Sequence, residues 1–152
     1  MTGNEEFIRA VYRTAEGDVQ DLDGWRNSFT KDGVFTDMAG ESFSGRTLGD
    51  AVTRMATLFP DVHRELLRVN DMGTMVAVEL LVQGTHLGAM PTPAGVLEPT
   101  GARINVPTAD FFYLRNGKIK TLNCYLTRNN MFAQLGIYPA FAAAVAKAAA
   151  AR

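Results

Sequence analysis

Two carboxylates sit where a folded chain would ordinarily avoid them. In VFTDMAGESFSG, Val34–Gly45, Asp37 lies between apolar Phe35 and Met38, where a strand leaves a core. In RINVPTADFFYL, residues 103–114, Asp110 falls in the middle of an apolar run. A carboxylate facing an apolar pocket loses solvent and becomes a better proton acceptor near neutral pH. One turned into the interior must be hydrogen-bonded or carry its proton. General acid–base work is the chemistry such residues offer. Two plainer roles stay open: Asp37 suits the cap of the MAGE turn, and Asp110 suits a satisfied polar residue or a solvent-facing one.

Asn116-Gly117 allows a register to be written. Asn-Gly between apolar runs marks a two-residue hairpin turn, because both positions need positive φ. Arg115 then pairs with Lys118. Counting back, Leu114 faces Ile119, Phe112 faces Thr121, Asp110 faces Asn123 and Thr108 faces Tyr125. Alternation places these eight side chains on one face, with Asn123 able to bond Asp110. Ala109, Phe111, Tyr113, Leu122 and Cys124 fall on the other. His86 shares the parity of Val76, Val78, Leu80 and Val82, which makes it a pocket donor, a second base or a satisfied histidine at a sheet edge. With His63 as the only other histidine, no metal site is expected.

The elements around these residues come in two blocks. Thr2 and Glu5 fit a capping box for a helix through Ala15, and Gly17 ends it. Asp18 can cap a second helix carrying Val19, Leu22, Trp25 and Phe29. A third runs from near Thr47 to Pro60. Sheet follows: RELLRVN, TMVAVELLVQGTHLG, RINVPTADFFYL and KIKTLNCYL, with a Gly/Pro-rich loop at 88–102. RNNMFAQLG and an Ala-rich tail read as helix. Helices first and antiparallel strands later give an α+β class. The 152 residues form one domain, 1–152, with its core at 5–138 and an Ala-rich C-terminal helix at 139–152.

Composition narrows the class further. Apolar residues make up 47% and charged residues 20%, and a net charge of −1 offers no basic surface for nucleic acid or anionic membrane. Cys124 is the sole cysteine, so no internal disulfide forms. The N-terminal stretch carries acids and no long apolar run, and no segment suits a bilayer span. The expected location is cytoplasmic.

FPDVH at 59–63, VQGTHLG at 82–88, EPTGARINV at 98–106, DFFYLRNGKI at 110–119 and FAQLGI at 132–137 together resemble SnoaL-like proteins. These form the polyketide-cyclase branch of the nuclear transport factor 2-like superfamily. The resemblance implies a cone-shaped barrel, a strongly curved antiparallel sheet wrapped around N-terminal helices and enclosing a deep pocket. VFTDMAG and DFFYLRNGKI are also similar to segments of ketosteroid isomerase, which implies a general-base role for Asp37 and an oxyanion-donor role for Asp110. Tyr12 stands near that enzyme's pocket tyrosine in order, with the spacing off by a couple of residues. Where SnoaL-like cyclases often carry an acid and a histidine near the last strand, this chain has Thr127 and Asn123.

The resemblance implies a cofactor-independent enzyme acting α to a carbonyl, by aldol-type cyclisation or isomerisation of a polyketide- or steroid-like substrate. The alternative is a non-catalytic binder of an apolar small molecule. Asp37, Asp110 and His86 are the catalytic candidates. Tyr12, Phe35, Thr108, Phe112, Asn123, Tyr125 and Thr127 are the substrate-binding ones. The expected partner is a small apolar carbonyl compound, and the apolar face bearing Phe111, Tyr113, Leu122 and Cys124 implies a homodimer.

Overall fold

The Thr2 hydroxyl accepts from the Glu5 N–H at 3.0 Å and opens the first helix, α1 (Gly3–Thr14). Its inward stripe is Ile8, Val11 and Tyr12. The computed structural model describes residues 1–38 and 40–152. The second helix, α2 (Leu22–Asn27), begins later than the sequence suggested, because Gln20 takes φ 49° and the cap is Asp21, not Asp18. Strand β1 (Phe29–Asp37) follows directly, then β2 (Glu41–Ser44) and helix α3 (Leu48–Leu58). The Trp25 indole N–H donates to the Leu48 carbonyl at 2.8 Å and ties α2 to α3.

The remaining strands are β3 (His63–Asp71), β4 (Met75–Thr85), the small hairpin β5 (Met90–Thr92) and β6 (Gly95–Leu97), β7 (Arg103–Arg115) and β8 (Lys118–Leu126). Six of them form one sheet in the order β2-β1-β8-β7-β4-β3. Neighbours are antiparallel except β1 and β8, which run parallel. The class is α+β: a curved, open sheet with the N-terminal helices packed in its hollow. Val76, Val78, Leu80 and Val82 of β4 meet Ile8 and Val11 in one core, each at most 4% exposed. Burying each such side chain contributes roughly 1.5–3 kcal/mol.

The β7–β8 hairpin departs from a simple count. Asn116 and Gly117 take φ 52° and 74°, and Arg115 pairs with Lys118 and Leu114 with Ile119. The next pair is Tyr113 with Thr121, so Lys120 has no counterpart on β7. This one-residue bulge reverses the facing of everything beyond it. Asp110 lies opposite Cys124 rather than Asn123, Phe112 opposite Leu122, and Thr108 opposite Leu126. Asn123 and Tyr125 pair with Phe111 and Ala109 on the outer face. Leu122 and Cys124 therefore leave the outer strip assigned to them from parity and turn inward.

The bulge is matched on the other side of β8. Phe29 pairs with Ile119 and Val34 with Thr121, so Thr30 to Gly33 loop out against Lys120. The Lys120 ammonium donates to the Asp32 carbonyl at 3.0 Å, and the Asp32 carboxylate also receives Arg115 at 2.5 Å. Hydrogen bonds from the Thr30 hydroxyl, Arg115 and Lys120 hold the Asp32 carboxyl down at about 2. A Cβ at Gly33 would stand 2.9 Å from the Ile119 carbonyl oxygen and 2.9 Å from the Phe29 Cβ, which reserves the position for glycine.

Helix α4 (Arg128–Gln134) packs on β7, whereas α5 (Phe141–Ala150) is exposed along its whole length. Among the described residues no helix is long and apolar enough to cross a membrane.

Candidate functional site

The sheet register draws one line across the hollow. Glu41 of β2 pairs with Asp37 of β1, Asp37 with Cys124 of β8, and Cys124 with Asp110 of β7. Asp110 in turn pairs with Val78 of β4. Directly paired residues point to the same face, so both aspartates and the thiol between them share the concave side. Two strand spacings separate Asp37 from Asp110, about 10 Å between backbones.

Two cavities meet along this line. The outer one has a volume of about 720 Å³, a size suited to a drug-like ligand. Its walls are apolar, with Phe35, Met55, Leu58, Met90, Met131 and Phe132, and its charged lining residues are Asp37, Glu41, Arg54 and Arg128. The inner chamber is only about 80 Å³ and is lined by Tyr12, Trp25, Arg64, Thr108, Asp110 and Phe112 among others. Phe35, Ala51, Met55, Cys124 and Leu126 line both and form the neck between them.

Asp110 is the buried pole, 6% exposed. The Tyr12 hydroxyl donates to its Oδ2 at 2.7 Å, and the Tyr12 ring meets Phe112 edge-on at 5.5 Å. Its Oδ1 has no partner of regular hydrogen-bond geometry, although the Cys124 thiol lies beside the carboxyl and acts on it as a donor. Burial pushes the Asp110 carboxyl up, against the pull of the Tyr12 and Cys124 hydrogen bonds and the Arg64 charge. Burial, reinforced by Asp110, also pushes the Tyr12 phenol and the Cys124 thiol well above their ordinary ranges, so both keep their protons. The inner chamber thus holds a phenol and a thiol that keep their protons beside a carboxyl group whose ionisation is disfavoured by burial.

Asp37 is the rim pole. Its Oδ2 accepts from Arg128 Nη2 at 2.6 Å, with the side chain 27% exposed. Beside it, Glu41 accepts from Arg54, whose guanidinium lies 5.3 Å over the Phe43 ring. Arg128, Arg54 and Cys124 are features that sequence parity did not select. The signal for Cys124 was available: Ile119 and Leu122 are apolar three residues apart across polar Lys120 and Thr121, a break in alternation that marks a bulge.

The other candidates are distributed as follows. Tyr12, Phe35, Thr108 and Phe112 line the chambers. Asn123 and Tyr125 lie on the outer face, where Tyr125 meets the Phe111 ring edge-on at 5.6 Å. Thr127 precedes α4 and its hydroxyl donates to the Pro107 carbonyl at 2.7 Å. His86 is fully buried yet lines neither chamber. Its Nδ1 accepts the Thr100 N–H at 3.1 Å and its ring packs on Phe59 at 5.9 Å, which makes it a pin for the 88–102 loop.

The sequence model described as "SnoaL-like domain" matches residues 7–122. No curated protein matches the chain significantly. Solved structures share the fold at low identity. A ketosteroid isomerase-like protein from Catenulispora acidiphila, solved with trimethylamine, is 22% identical over 87% of this chain and 93% of its own, with a TM-score of 0.71. IdmH from Streptomyces antibioticus, described as a candidate polyketide cyclase, is 21% identical over 90% of this chain and 100% of its own, with a TM-score of 0.71. An epoxide hydrolase from M. tuberculosis is 16% identical over 86% of each chain, with a TM-score of 0.63.

The raised Asp110 carboxyl has a thermodynamic sign. In the unfolded chain it ionises in the ordinary carboxylate range, and in the folded one it ionises higher. Between those two values the folded state holds the extra proton, so stability falls as pH rises through the window. Asp110→Asn removes this penalty and keeps an acceptor for Tyr12. The variant should gain stability relative to wild type as pH rises from the ordinary carboxylate range, about 4, toward neutral, as measured by urea unfolding. A difference that stays constant over that range would contradict the assignment.

Proposed function

Because the chain belongs to the SnoaL-like domain family, we propose that it is a cofactor-independent enzyme performing proton transfer α to a carbonyl. The observation that supports this most is the single row of paired residues carrying Asp37, Cys124 and Asp110 across the concave face. The substrate's apolar body fills the outer cavity and its carbonyl enters the inner chamber. Asp37 takes the α-proton, the C–H electron pair moves into the carbonyl, and the developing enolate oxygen receives a hydrogen bond from the neutral Asp110 carboxyl, which the Tyr12 hydroxyl holds in place through its own bond to Oδ2. The enolate then either recovers the proton at a different carbon, which is isomerisation, or attacks a second carbonyl, which closes a ring. Asp37 returns the proton in both cases. Donors preorganised in a narrow, largely apolar chamber contribute most of the rate such a site can supply.

One observation favours a non-catalytic apolar-ligand binder: Arg128 occupies the carboxylate that would act as base. Exchange of an α-proton into deuterated water, followed by NMR on ketones shown to bind, separates the readings. Asp37→Asn should nearly abolish exchange while leaving binding of a planar phenol intact. Asp110→Asn should lose part of the rate, and Asp110→Ala about 10²–10³-fold, as for a lost oxyanion donor. Cys124→Ser, and not Asn123→Ala, should perturb Asp110, because Cys124 is its neighbour in the ladder. Equal exchange by wild type and Asp37→Asn would leave the binder reading in place.

The outer sheet face bears on assembly. Phe111 and Tyr113 stand there as parity assigned them, with Tyr125 in place of Leu122 and Cys124, and Tyr113 is 43% and Tyr125 45% exposed. We propose that two copies pair through it. Light scattering at tens of micromolar protein should give twice the chain mass, whereas the monomer mass would count against pairing (a rough working range for specific association).

A further inference from the structure

We propose that the substrate is an apolar keto acid whose carboxylate takes Arg128 from Asp37 on binding, so that anion recognition at the rim draws the arginine off the base. This rests on the proton-transfer reading of the same site and adds the substrate's charge to it. The walls of the outer cavity are apolar, while the four charged residues lining it form two ion pairs. Their geometry is organised by the sheet. Asp37 and Glu41 are direct partners on β1 and β2, and each holds one arginine from a helix beyond the hairpin, Arg128 from α4 and Arg54 from α3.

The two pairs are not equivalent. Arg54 also lies over the Phe43 ring, which gives it a second attachment. Arg128 is 43% exposed and contacts Asp37 through Nη2. A guanidinium has five donors in a planar fork, so Arg128 has capacity to take a ligand carboxylate by two parallel hydrogen bonds. The exchange replaces one arginine–carboxylate pair by another of the same kind, so little is lost in making it. A cationic ligand would behave in the opposite way. It would neutralise Asp37, the group that must accept the proton. A neutral ligand would leave Arg128 on Asp37. Only an anion both satisfies the arginine and draws it off the Asp37 oxygen that it holds.

Isothermal titration of a matched pair, 2-naphthylacetate and 2-naphthylacetamide, tests this without relying on turnover. The acid should bind wild type about tenfold more tightly than the amide, the scale of a charge-assisted pair. Arg128→Gln should erase that preference, and Arg128→Lys, which keeps a cation without the fork, should retain part of it. Asp37→Asn should tighten acid binding by several-fold, because the competitor for Arg128 is gone. Glu41→Gln removes the same charge from the rim but leaves Arg128 on Asp37, and should change acid affinity less. The proposal is overturned if acid and amide bind wild type alike, if the acid fails to bind at millimolar concentration, if the preference survives in Arg128→Gln, or if Glu41→Gln matches Asp37→Asn. Proton exchange reads the other question separately. Anion preference without exchange sinks the catalytic reading and keeps the anion site. Exchange on ketones without anion preference does the reverse.

Discussion

Lys120 has no partner across the β7–β8 ladder, and that unmatched residue decides which side chains of β8 meet the cavity. Without it, alternation would turn Asn123 and Tyr125 inward and place Leu122, which is 1% exposed here, in contact with solvent. The bulge is held from both sides. The turn at Asn116-Gly117 fixes the ladder below it, and the looped segment Thr30–Gly33 accommodates it on β1, with Lys120 itself bonded to Asp32. The inward facing of Cys124, between Asp37 and Asp110, follows from this local irregularity.

Once Cys124 faces inward, the electrostatics follow. Asp37 and Asp110 are the same residue type on the same face, two strands apart, yet their surroundings differ in kind. Asp110 is enclosed with a phenol, a thiol and aromatic walls, so burial outweighs the hydrogen bonds and favours the neutral acid. Asp37 stands at the rim beside a guanidinium. Enolisation requires one carboxyl group to donate a hydrogen bond and another to accept a proton, and in the proposed function these parts fall to Asp110 and Asp37.

Much of this was legible in the sequence. The capping residues of α1, the Asn-Gly turn and the parity of Val76 to Val82 are local signals, and local signals survive folding. Asp37 and Asp110 stood out because carboxylates in apolar strands need a reason. The pairing of Asp110 was not legible by counting, since a count from the turn assumes an uninterrupted ladder. Arg128 was not legible either. It lies 91 residues from Asp37 and its place depends on how α4 returns over β7. His86 shared the right parity, but β4 ends at Thr85, and beyond a strand end parity no longer sets direction.

The most direct test of the central claim uses the facing of β8. The chain has one cysteine, so thiol labelling reports on a single site. Cys124 in the native protein should react with a bulky aromatic disulfide at least about tenfold more slowly than in urea-unfolded protein, because it is only partly exposed, sits at the neck between the cavities and holds its proton strongly. A variant carrying Asn123→Cys with Cys124→Ser should react faster than native Cys124 while folded, at a dilution where light scattering gives the single-chain mass and no second copy covers the outer face. Fast labelling of native Cys124 together with protection at position 123 would restore the unbulged register, remove the thiol from between the two aspartates and contradict the account.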